Sequence, residues 1–75
     1  MQEFDLLEAY KKEIEAFLAT MGIYKGDKIK NNNPEINAKN KEFIKKHMQK
    51  MFSGNLNVGI LHKAIDELLP YLYQK

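Results

Sequence analysis

Two apolar ladders that climb in alternating steps of three and four residues constrain this chain more than any other feature. Leu7, Tyr10, Ile14, Phe17 and Met21 form the first, and Val58, Leu61, Ile65, Leu68 and Leu72 form the second. That spacing holds side chains on one face of an α-helix and would scatter them over both faces of a strand. The first ladder predicts a helix from about Gln2 to Met21, closed by Gly22, a residue that accepts the left-handed backbone of a helix end. Between the ladders, Asn33-Pro34-Glu35 is a start signal. Asparagine caps, proline suits the first helical position because its missing N–H would be unpaired there, and glutamate complements the helix dipole. This second helix is expected to reach Phe52 or Ser53 and stop at Gly54, with room for a break at 37–40, where Asn37 and Asn40 make it polar. The third helix is expected to begin near Asn55 to Asn57. Pro70 cannot donate to the carbonyl of Asp66, so the helix either kinks or ends there.

Residues 23–33 interrupt the helical pattern. Gly26-Asp27 and the run Asn31-Asn32-Asn33 are turn chemistry, yet Ile23, Tyr24 and Ile29 are apolar. An ordered loop folded over the core, or a short irregular hairpin, fits both facts. Short connections set neighbouring helices antiparallel. The expected fold is all-α: a small three-helix bundle, a helix plus an antiparallel helical hairpin, with residues 1–75 as a single domain.

Each helix carries a wide apolar stripe. Projected at about 100° per residue, the stripes span roughly 160°, 180° and 180°, whereas about 100° suffices to face one core. Either the 23–33 connection covers the excess, or the chain has a second buried interface. Its 75 residues give the second reading a motive. A domain of this size buries only about 60 % of its unfolded surface, and small domains gain stability by association. Ile60, Ala64 and Tyr71, on the far side of the third helix from Val58, are the candidate partner-binding edge. Asn40 also falls inside the second stripe, where a buried polar residue can fix register; alternatively the helix has not begun to pack there. Met21, Met48 and Met51 lie within the stripes as core filling or as adaptable contacts for a partner helix.

Charge is uneven although the net value is only +2. Residues 1–24 carry −3, residues 25–50 carry +5 and residues 51–75 are neutral. Lys39, Lys46 and Lys50 project close together on one flank of the second helix, with Lys28 and Lys30 in the preceding segment. Such a basic patch suits phosphates or an acidic protein surface. All twelve basic residues are lysine, and the absence of arginine, the usual bidentate reader of guanine, weakens a sequence-specific DNA role. No connection has the length of a helix-turn-helix leading into a basic helix.

Chemistry finds little to stand on. There is no cysteine, so neither a disulfide framework nor a thiolate metal site is expected. Ser53 and Thr20 are the only hydroxyl-bearing serine and threonine, and Ser53 lies outside any Gly-x-Ser-x-Gly elbow. Gly22, Gly26, Gly54 and Gly59 form no phosphate loop. His47 and His62 belong to no Glu-x-x-His or His-x-x-x-His pair. His62 and Asp66 are spaced to meet on one helix face, and His47 projects into the apolar stripe. No catalytic residue, cofactor or metal is therefore expected. No apolar run approaches the roughly 18–20 residues of a membrane span. Acids at Glu3 and Asp5 replace the basic patch of a secretory signal, which predicts a cytoplasmic protein.

The hairpin 43–72, with Gly54 at its turn and leucine-rich spacing after it, resembles the small, lysine-rich helical bundles that protect bacteriocin producers. The likeness covers under half of the chain, rests on helix spacing and contains no defining motif, so it identifies no family. The expected function is a non-enzymatic protein–protein interaction or regulatory protein of inhibitor, immunity or accessory type, of bacterial or phage origin. It would act through exposed apolar helix faces, with itself as a homodimer or with a protein partner. The alternative is a nucleic-acid-binding accessory protein that uses the lysine-rich middle segment.

Overall fold

The protein is described by a computed structural model covering residues 3–22, 24–25, 28–29 and 34–73, with the side chains of 24, 25, 28, 29 and 71–73 left aside. It is a three-helix bundle. Helix α1 runs Glu3–Thr20, α2 Pro34–Phe52 and α3 Val58–Tyr73. Two short strands, β1 (Tyr24–Lys25) and β2 (Lys28–Ile29), stand between α1 and α2. They pair antiparallel, Tyr24 opposite Ile29 and Lys25 opposite Lys28, so the short hairpin is the form the connection takes. Strand β1 lies beside α1 and β2 beside α3.

The helix ends follow from the residues placed there. Glu3 and Asp5 sit in the first turn of α1, where carboxylates favour the positive end of the dipole. At its far end Gly22 takes φ +76°, and the amides of Met21 and Gly22 donate to the carbonyls of Phe17 and Ala19 at 3.0 and 3.1 Å. Pro34 opens α2 as expected, and the helix passes through Asn37 and Asn40 without a break. Ser53 (φ +43°) and Gly54 (φ +70°) turn the chain sharply after it. The serine occupies a left-handed conformation that costs an L-residue about 1–2 kcal/mol, and its amide is held by the Gln49 carbonyl at 2.8 Å. Asn57 caps α3. Its Oδ1 accepts from the Ile60 amide at 3.1 Å, and its carbonyl accepts from the Leu61 amide at 2.9 Å. The helix continues past Pro70 to Tyr73.

Contacts between helices fix their directions. The Tyr10 ring lies 4.9 Å from that of Phe52, and Glu13 and Phe17 both meet His47, so α2 descends as α1 ascends. The Tyr10 hydroxyl accepts a hydrogen bond from the Asn57 amide at 3.0 Å, and Lys11 reaches Glu67 at 2.8 Å, so α3 runs parallel to α1. The closest packing is between α1 and α3, with α2 next against α1.

The core gathers Leu7, Tyr10, Ile14 and Leu18 from α1, Ile44 and Met48 from α2, and Ile60, Leu61, Ala64, Ile65, Leu68 and Leu69 from α3. Leu6, Phe17, Phe52 and Leu56 pack against its margin. The wide stripe of α3 is thus buried inside one subunit, packed mainly against α1 and lying beside β2. Large apolar side chains nonetheless remain exposed, most of them in the terminal turns of the helices.

Candidate protein-binding surface

Among the described residues, five large apolar side chains stay exposed: Phe4, Met21, Phe43, Met51 and Val58. The helix directions determine where they lie. Phe4 is in the first turn of α1, Met51 in the last turn of α2 and Val58 in the first turn of α3. With α1 and α3 parallel and α2 reversed, all three come to one end of the bundle. They are also the most exposed of the five, at 69 %, 53 % and 53 %. Met21 and Phe43 belong to the opposite half.

This end is pitted as well as apolar. An open depression of about 400 Å³ is lined by Glu3, Leu6, Asn57, Gly59, Ile60 and Lys63. A second, of about 330 Å³, is lined by Gln49, Gly54, Leu56 and Val58. Both charge signs surround it: Glu3 and Asp5 on α1, Lys50 on α2 and Lys63 on α3 are all exposed.

The partner-binding edge expected on α3 does not form an exposed row. Ala64 is fully buried in the core. Ile60 is 7 % exposed and contributes to the core, while its outer edge helps to line the first depression. Both point inward because the α1-facing side of α3 is the tightest seam in the bundle. Tyr71 lies in the last turn of α3, and its side chain falls outside the described residues. Sequence periodicity did not show that Phe4 and Met51 stay exposed, because it gives the angle around a helix axis and not the height along it.

The basic patch is placed in part. Lys39, Lys46 and Lys50 are exposed on α2, and Lys39 borders a shallow groove with Ala38, Glu42 and Phe43. Lys28 lies in β2 with its side chain outside the described residues, and Lys30 lies outside them altogether.

The remaining candidates are engaged in structure. His47 Nε2 sits 2.8 Å from a Glu13 carboxylate oxygen, and its ring stacks on Phe17 with centroids 4.2 Å apart and planes 12° apart. The group ties α2 to α1. His62 is exposed beside Asp66, Lys41 and Lys45 in a cleft of about 180 Å³. The Thr20 hydroxyl donates to the Ala16 carbonyl at 2.9 Å. Among the described residues, no group of three or more metal-ligating side chains converges. No described helix is long and apolar enough to cross a membrane. Lys11 bridges Glu67 on α3 and Glu8 one turn back on α1. Its hydrogen bond with Glu67 raises the lysine above its usual range and lowers the carboxylate below its own.

Asn40 is 3 % exposed, and its Nδ2 has no hydrogen-bond partner. The sequence placed this residue in the α2 stripe, and the structure packs it there.

No family model matches the chain, and neither does any curated protein or solved structure.

Proposed function

We propose that this protein is a small, non-catalytic, cytoplasmic binding module of regulatory, inhibitory or accessory type. It works by burying its exposed apolar end against another protein surface, with a second copy as the first partner. The observation that carries this reading is the gathering of Phe4, Met51 and Val58 at one end beside two open depressions. Single exposed apolar residues are ordinary on a protein surface; three in the terminal turns at one end, with charged residues among them, make that end the best candidate for a contact site. A bundle of 75 residues also gains stability when association removes more surface from water.

The second reading is nucleic-acid binding through Lys28, Lys30, Lys39, Lys46 and Lys50, favoured by the exposure of the last three on one helix. Salt separates the two. Five neutralised phosphates give a slope of about −4.5 in log affinity against log salt, a loss of roughly 500-fold between ~50 and ~200 mM. Burial of apolar surface has no comparable dependence. Sedimentation of the pure protein from about 1 to 500 µM, a range suited to a small interface, should show mass rising with concentration at both salts. Duplex and single-stranded DNA titrations should show no binding with that salt slope. A monomer at every concentration that binds DNA with the steep slope would replace the first reading by the second.

A further inference from the structure

Away from the exposed end, α2 carries a row of side chains on its outer flank. Lys39, Phe43, Lys46 and Lys50 step by four, three and four residues, and at about 100° per residue they fall within roughly 60° of one another. All four are exposed. Phe43 keeps 44 % of its surface in water because Asn40, Ile44 and Met48 take the inward positions of the helix. Beside it, Ala38, Lys39, Glu42 and Phe43 line a shallow groove of about 230 Å³. Steps of three and four are the spacing by which one helix packs along another.

The three lysines carry uncompensated charge. Among the described residues, lysine ion pairs are made by Lys11 and Lys45, and none of the three in this row has a carboxylate within ion-pair distance. Glu42 lies off the row and has its carboxylate 4.0 Å from Lys45, on the far side from Phe43. Glu35, one turn before Lys39, closes the row at its start, and α2 ends at Phe52, just past Lys50. The row is therefore short, about 16 Å at 1.5 Å per residue.

We propose that this row docks an acidic amphipathic helix of another protein, with an apolar residue of that helix over Phe43 and its carboxylates on Lys39, Lys46 and Lys50. Charge complementarity selects the occupant. A second copy does not supply it: Glu8 is engaged by Lys11, Glu13 by His47 and Glu67 by Lys11, so no helix of this chain presents a matching row of free carboxylates. A long polyanion such as a nucleic acid fits less well, because the row is short and an acid stands at its start. The surface is separate from the exposed end, so the proposal is independent of self-association there.

Amide shift titration of the full chain tests it. The probe is an alanine-based helical peptide of about 18 residues, long enough to fold alone, with leucine at its centre and a glutamate one turn to either side on the same face. Shifts should centre on residues 39–50 and saturate below about 1 mM peptide. Phe43→Ala should weaken binding at least ~fivefold, and Lys46→Glu at least ~tenfold, each variant being as helical as the parent by circular dichroism. Replacing one glutamate of the peptide by lysine should restore binding to Lys46→Glu. Equal binding of a peptide with leucine and glutamates on opposite faces, or unchanged binding by Phe43→Ala, would reduce the row to a diffuse basic surface and overturn the proposal. Tighter binding of an oligothymidylate than of the peptide would overturn it in favour of nucleic acid. Absence of shifts up to about 1 mM peptide would overturn it outright, whatever the mass of the protein in solution.

Discussion

The two helices that flank α1 are held to it by different physics. Along α3 the seam is apolar: Ile60, Leu61, Ala64, Ile65, Leu68 and Leu69 are all buried. Along α2 only Ile44 and Met48 are buried apolar residues, and polar groups complete the contact. Asn40 lies inside, and the Glu13–His47 pair, with Phe17 stacked on the imidazole, closes the margin. Apolar burial scales with area and is indifferent to direction, whereas hydrogen bonds and stacked rings demand one geometry. The α1–α3 seam therefore supplies most of the stability, and the α1–α2 seam fixes where α2 sits.

The largest effect that tests this contrast is Leu61→Ala. Leu61 is 2 % exposed in the first turn of α3, within the apolar seam. Its truncation removes buried methyl groups and leaves a cavity, costing about 2–5 kcal/mol. In a domain this small each kcal/mol lowers the melting temperature by roughly 4–8 °C, so the variant should melt at least ~10 °C lower or be largely unfolded at 25 °C. Thermal melts followed by circular dichroism read this directly. A drop of only a few degrees would mean that the α3 seam is not the main source of stability.

Asn40→Leu should act in the opposite direction and more gently. The buried Nδ2 has lost its water and gained no partner, a penalty of about 1–3 kcal/mol. Leucine is close in volume, removes the penalty and should raise the midpoint of urea unfolding. If the polar seam fixes the position of α2, the same change should broaden amide resonances on α2 while those on α3 stay sharp. A more stable variant with equally sharp α2 resonances would confine Asn40 to a cost without a positioning role.

Much of this contrast could be read before any coordinates. The three helices and the bundle topology follow from the ladders and from Gly22, Pro34 and Gly54, because each punctuating residue has one dominant backbone use, whereas the sequence left an ordered loop and a short hairpin both open between the first two helices and strand pairing decides for the hairpin. Asn40 stood out because a polar residue interrupted an apolar stripe. The width of the α3 stripe was harder to interpret. A stripe of about 180° can mean a second interface or two neighbours in one bundle, and packing selects the second by burying Ile60 and Ala64. Projection down a helix axis discards axial position, so it could not show that the exposed Phe4, Met51 and Val58 belong to terminal turns at the same end. Helix order and direction supply that coordinate.

The smallest effect lies on the rim of the α1–α3 seam, where the Lys11–Glu67 ion pair tests whether charge adds to an apolar contact. The hydrogen bond from Lys11 to Glu67 lowers the pKa of the carboxylate and raises that of the amine, with charge attraction acting in the same directions. The lowered Glu67 contributes stability that is present above the ordinary carboxylate range and lost as pH falls through its folded-state value. The raised Lys11 contributes stability that is present below the ordinary lysine value of 10.5 and lost as pH rises through its own. The pair should therefore add to the melting temperature between those limits and vanish on both wings. Its members are at the surface, so the plateau should be shallow and should flatten in about 1 M salt, where the screening length falls to ~3 Å. Melting temperatures from pH 2 to 12, with Glu67→Gln as the comparison, measure it. A variant with the same plateau as the parent at low salt would show that the seam takes nothing from this pair, and that its stability is apolar throughout.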